Sequence, residues 1–121
     1  MDADTFEEIA RYVRDNAGVA SVQAWQLREA QGAGRLTARI NAGILRSLAD
    51  HGLGAVPSEA ADMPTSQGEW VRVYAKNTSI GRVLEAALQP GEAQDEILRE
   101  AVDGDAASMV EKIRAIVLLD E

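Results

Sequence analysis

Over most of this chain apolar residues recur every three or four positions; one short stretch alternates instead. In "DTFEEIARYVRD", Phe6, Ile9, Ala10 and Val13 fall on one side of a helix that Asp4 or Thr5 can cap and Gly18 can stop. "SVQAWQLREAQ" predicts a second helix opening on Ser21, whose hydroxyl can accept an early backbone N–H. It would bury Val22 and Trp25, with Leu27 or the stem of Arg28 beside them. "GAG" at 32–34 breaks the pattern, because glycine in a helix interior costs roughly 1 kcal/mol against alanine. A third helix is predicted from about Arg35 to His51, closed by Gly52. Turned about the helix axis, Leu36, Ile40, Ile44 and Leu48 form one stripe, and Arg35, Arg39, Ala42 and Arg46 lie nearly opposite.

The alternating stretch is "WVRVYAK". Val71, Val73 and Ala75 fall on one side and Trp70, Arg72, Tyr74 and Lys76 on the other, which predicts a strand with one solvated face. "GAVP" at 54–57 is its expected partner in a two-stranded ribbon. Beyond it, "SIGRVLEAAL", "GEAQDEILREAV" and "DAASMVEKIRAIVLL" predict three short helices, the first capped by Thr78 or Ser79. Ile80, Val83, Leu84, Ala87 and Leu88 make one apolar stripe; Ile97, Leu98, Ala101 and Val102 make another. The last helix gathers Met109, Val110, Ile113, Ile116 and Val117, with Leu118 and Leu119, into an arc wide enough to need cover. That cover is either the rest of the fold or a second copy of the chain.

Helix, short glycine-containing turn and longer helix, followed by a ribbon, is the layout of a winged helix-turn-helix, and residues 5–77 resemble that superfamily. The block "GRLTARINAGILRSLADHGLGAVP" carries the resemblance. The fold expected is therefore mainly α with a small β-ribbon. Residues 1–77 would form the winged helix-turn-helix-like domain, and residues 78–121 an acidic three-helix extension that packs on it or dimerises. The superfamily implies a third helix that enters a major groove, and helix-turn-helix dimers on two-fold sites imply a homodimer.

Charge changes this picture in two ways. The 121 residues carry a net charge of −8, which opposes a phosphate-rich partner. The charge is segregated, however: residues 28–51 and 71–82 are net basic, while 1–27, 52–70 and 83–121 are net acidic. The basic segments supply the candidate nucleic-acid contacts, Arg28, Arg35, Thr37, Arg39, Asn41, Arg46, Arg72, Tyr74 and Lys76. The presumed wing tip, "SEAADMPTSQGE", holds Glu59, Asp62 and Glu69 and nothing basic, so it would be repelled by DNA. With ten arginines against two lysines, arginine is also this chain's ordinary basic residue, and an arginine row can be a plain solvated face.

The remaining chemistry is thin. There is no cysteine, hence no disulfide and no thiolate-bound metal. The start is acidic and amphipathic rather than a signal peptide, and no stretch has the length of a membrane span, which predicts a soluble cytoplasmic protein with no membrane partner. His51, the single histidine, stands at a helix end, where a cap or dipole partner is the ordinary role. The acids from Glu92 to Asp105 lack the spacing of a calcium loop and read as a solvated helix face. The glycines at 32, 34, 52 and 54 follow no strand and carry no phosphate-loop lysine. Trp25 and Trp70 read as core or ribbon-packing residues; Tyr74, beside Arg72 and Lys76, is the aromatic placed for nucleic-acid contact. No catalytic residue, metal, cofactor or small-molecule substrate is expected. Two function classes remain: a DNA-binding regulator or nucleoprotein component using the third helix, and a non-catalytic adaptor or inhibitor on the same fold whose acidic surface engages a protein partner.

Overall fold

The structure, a computed structural model, describes residues 5–102. Thr5 caps α1 (Phe6–Asp15), its hydroxyl accepting the Glu8 N–H at 3.2 Å. Phe6, Ile9, Ala10 and Val13 are buried, as their spacing predicts. The next segment departs from expectation. Val19–Gln23 is a strand, β1, and the second helix, α2, is confined to Ala24–Gln31. Ser21 thus lies within a strand, and Gln23 opens the helix, its N–H donating to Gln26 Oε1 at 2.9 Å. The physical reason is a ladder that no local signal announces: β1 pairs antiparallel with β3 (Trp70–Ala75), and Val22, opposite Val71, is driven into the core.

α3 spans Ala38–Asp50 and ends on His51, the cap residue that its place in the sequence predicts. It leads into β2 (Leu53–Val56), a short 3-10 turn (Ala60–Asp62), β3 (Trp70–Ala75) and α4 (Ser79–Leu88). The expected two-stranded ribbon is a three-stranded antiparallel sheet in the order β1-β3-β2. Its inner-face residues Val22, Leu53, Val71, Val73 and Ala75 have no solvent exposure and share one core with Ile9, Val13, Leu27, Ile44 and Leu48. Fully burying each of the larger side chains contributes roughly 1.5–3 kcal/mol, so this layer between sheet and helices is the main source of stability.

α1 is tied to the end of α3. Arg14 Nη2 donates to the His51 carbonyl at 3.3 Å, the Phe6 and His51 rings stand 5.9 Å apart, and Glu7 Oε1 lies 3.8 Å from His51 Nε2, an ion pair only when the imidazole is protonated. His51 Nδ1 approaches the Ser47 carbonyl at 2.8 Å, so the ring is committed to the helix end.

By its internal contacts the chain divides into two units, Met1–Arg82 and Val83–Glu121. In the second unit residues 92–102 are helical, with Ile97 and Leu98 half-buried and Val102 exposed. The third expected helix, with Met109, Val110, Ile113, Ile116 and Val117, lies outside the described residues.

α4 begins against the end of β3. Thr78 caps it, accepting the Gly81 N–H at 3.1 Å and donating to the Ala75 carbonyl at 2.7 Å. A Cβ on Gly81 would fall onto that same carbonyl oxygen. Helix propensity favours alanine over glycine by roughly 1 kcal/mol, yet this contact is with backbone already held in the sheet. Gly81→Ala is expected to destabilise the protein by about 1–3 kcal/mol in urea unfolding. Gly34→Ala, with open space around the new methyl, should leave the midpoint nearly unchanged.

Candidate functional site

α2 and α3 form a fixed pair. Gly32, in the left-handed region at φ 72°, ends α2, and Arg28 clamps the turn that follows by donating from Nη1 to the Ala33 carbonyl at 2.9 Å. Its Nη2 pairs with Glu29 Oε1 at 3.2 Å, and the side chain is only 18 % exposed. Arg28 is therefore spent on the turn rather than offered to a phosphate. Thr37 is likewise committed, its hydroxyl accepting the Ile40 N–H at 3.2 Å as the α3 cap. Farther along, Ser47 Oγ donates to Gln31 Oε1 at 3.0 Å, and Gly43 lets Gln31 lie close, since a Cβ there would stand 2.7 Å from its amide nitrogen. These contacts, together with the burial of Ile44 and Leu48, fix the direction in which the remaining side of α3 faces.

That side is exposed. Arg39 and Arg46 stand two helical turns apart with the half-exposed Ala42 between them, and neither has an ion-pair partner among the described residues. Ile44 and Leu48, on the far side, have no exposure. Arg35 is exposed too, but it precedes the Thr37 cap, so helical periodicity does not align it with the row.

Two other expected contacts are corrected. Asn41 has 0 % exposure, and its Nδ2 donates to the Pro64 carbonyl at 3.2 Å, so it holds a loop in the interior. Tyr74 is 3 % exposed rather than solvated, because its ring packs over Gly54, its cross-strand partner, where a Cβ would collide with the ring. Arg72 and Lys76 remain exposed.

The β2–β3 connection is not a free tip. Met63 is buried in the core, Pro64 is held by Asn41, Gln67 and Glu69 accept through their carbonyls the Trp25 and Ala24 N–H groups at 3.0 and 2.8 Å, and the Gly68 carbonyl accepts from Gln23 Nε2 at 3.2 Å. The loop is strapped across α3 and the start of α2, with Glu59, Asp62 and Glu69 exposed along it.

No protein-family model, curated protein or solved structure matches this chain. The site is read from its own residues. Among those described, no three acidic or histidine side chains converge on a common point, and no helix is long and apolar enough to cross a membrane. Glu92, Asp95, Glu96 and Glu100 line a shallow hollow of the 92–102 helix together with Arg99, whose guanidinium offsets part of their charge. Trp70 also departs from its sequence reading: expected in packing, it is 64 % exposed. Its alternation with Arg72 carried the signal.

The strap generates a stability prediction. Asn41→Ala leaves the Pro64 carbonyl without its donor and is expected to cost about 1–3 kcal/mol. A glutamyl endopeptidase should then cleave after Glu59 and Glu69 faster than in the parent protein, at unchanged Asp and Glu content.

Proposed function

We propose that residues 5–77 form a winged helix-turn-helix module that binds duplex DNA through the exposed face of α3, as a transcriptional regulator or nucleoprotein component. The observation that carries this reading is the pair of exposed arginines, Arg39 and Arg46, without an ion-pair partner among the described residues, on the side of α3 opposite the buried Ile44 and Leu48 and beside the Gly43 edge that meets α2. The element order α1-β1-α2-α3-β2-β3 and the sheet order β1-β3-β2 support the fold assignment, since they supply a helix pair followed by a strand hairpin. Small residues beside the arginines, Ala38, Ala42 and Ala49, leave that face of the helix without bulk that would hold it out of a groove. Arginines there reach phosphates or guanine edges.

The revised contact set is Arg35, Arg39 and Arg46, since Arg72 lies on the outer face of the sheet, whose inner face shares the core with α3. Because the charge of the chain as a whole is −8, affinity is expected to be modest and confined to this face. A homodimer through the C-terminal apolar arc and a cytoplasmic setting belong to the same proposal. The strapped acidic loop favours a second reading, a protein-interaction module, since a wing carrying Glu59, Asp62 and Glu69 without a basic residue adds repulsion to any phosphate backbone.

Fluorescence anisotropy against a pool of duplexes separates the two. Under the DNA reading, Arg39→Ala and Arg46→Ala each lower the slope of log affinity against log salt by roughly 1, and Arg39→Glu abolishes binding while far-UV circular dichroism is unchanged. Duplex affinity that is absent at low salt, or indifferent to both arginines, overturns it in favour of the protein partner.

A further inference from the structure

We propose that the outer face of the sheet, at the Trp70 end of β3, is a platform for single-stranded nucleic acid, with the Trp70 indole stacking on an unpaired base and Arg72 holding an adjoining phosphate. This is a second binding surface, and it does not rest on the reading of α3.

Trp70 is the one large apolar side chain left exposed among the described residues of the first unit. It stands two residues from Arg72 on the same strand, hence on the same face and about 7 Å away at the usual strand rise. That distance spans a base and the phosphate of its own or the next nucleotide. The ground around them is rigid and polar. Gln23, paired with Trp70 across the strands, donates to the Gly68 carbonyl at 3.2 Å and accepts the Trp25 indole N–H at 2.9 Å. Arg72 sits between the exposed Ser21 on β1 and the half-buried Val56 on β2, without an ion-pair partner among the described residues.

Charge decides the occupant. None of the strand residues on this face is acidic, although the chain as a whole is strongly so. Lys76, whose N–H continues the ladder by donating to the Gly52 carbonyl at 3.0 Å, is an exposed cation at the far end of β3. A flat aromatic beside a guanidinium with no ion-pair partner among the described residues, on a strand face whose one acidic neighbour is Glu69 at its edge, is complementary to a chain of bases and phosphates. Stacking of this kind accepts any base, because every base has a π-face. A duplex cannot use it, since its bases are already stacked on each other.

The test is a titration of the full chain with oligothymidylate of about 12–16 nucleotides, the upper range of site sizes for such surfaces, followed by tryptophan emission and by anisotropy of a labelled strand. Saturable quenching is expected. It should persist in Trp25→Phe and vanish in Trp70→Ala, whose affinity by anisotropy should fall about 5- to 150-fold, the worth of one base–aromatic stack. Trp70→Phe should recover most of that loss, and Arg72→Ala should lower the salt slope by roughly 0.7. Arg39→Ala with Arg46→Ala should leave single-strand binding unchanged, so loss of duplex binding and loss of single-strand binding report on separate proposals. Single-strand affinity indifferent to Trp70, equal binding of a polyglutamate peptide of similar length, or a dimer that dissociates on Trp70→Ala would each overturn the assignment.

Discussion

β3 has a neighbour on each side, and its inner face must be dry. Satisfying its backbone requires one strand from before α2 and one from after α3; satisfying its side chains requires cover over Val71, Val73 and Ala75. These demands place most of the first unit. Pairing with β1 sets the chain between α1 and α2 in extended form, and pairing with β2 sets the exit of α3. The helices that flank those strands are then brought onto the inner face, where Ile9, Leu27, Ile44 and Leu48 close the core.

What faces outward follows from what faces inward. Because Ile44 and Leu48 are drawn to the sheet and Gly43 and Ser47 to α2, the remaining sector of α3 is the one that carries Arg39 and Arg46. Because Val71 and Val73 are drawn inward, Trp70 and Arg72 are turned outward. The two exposed basic surfaces are thus by-products of one core, held rigidly because each lies on an element whose other side is fully buried. The acidic strap between β2 and β3 sets Glu59, Asp62 and Glu69 near α3, so negative charge lies close to the positive charge of Arg39 and Arg46.

Legibility followed the locality of the forces. α1 was readable because its cap, its apolar spacing and its stop all lie within the same short segment, and the buried set came out as the spacing implies. β3 was readable from alternation, and β2 as its expected partner in a ribbon. β1 was not: "VASVQ" contains a serine and a glutamine that suit a helix start, and what makes it a strand is hydrogen bonding to residues some fifty positions later. The arginine face of α3 was legible, whereas Asn41 was misplaced. A polar residue on a helix is expected outside, and its burial depends on a carbonyl at Pro64 that no helical pattern can foresee. Tyr74 was misplaced for a similar reason, since the space for its ring is made by a glycine on the neighbouring strand.

By itself, then, the sequence determined the helices with their own caps, the sidedness of α3 and β3, and the segregation of charge, because periodicity and composition are properties of a short stretch of chain. Tertiary structure decided that residues 19–23 would be a strand, that Asn41, Tyr74 and Arg28 would serve the fold, and that the acidic loop would be strapped down. Each of those outcomes turns on a contact between residues distant in sequence, where a hydrogen-bond partner or a space for a ring exists only after the chain has closed on itself.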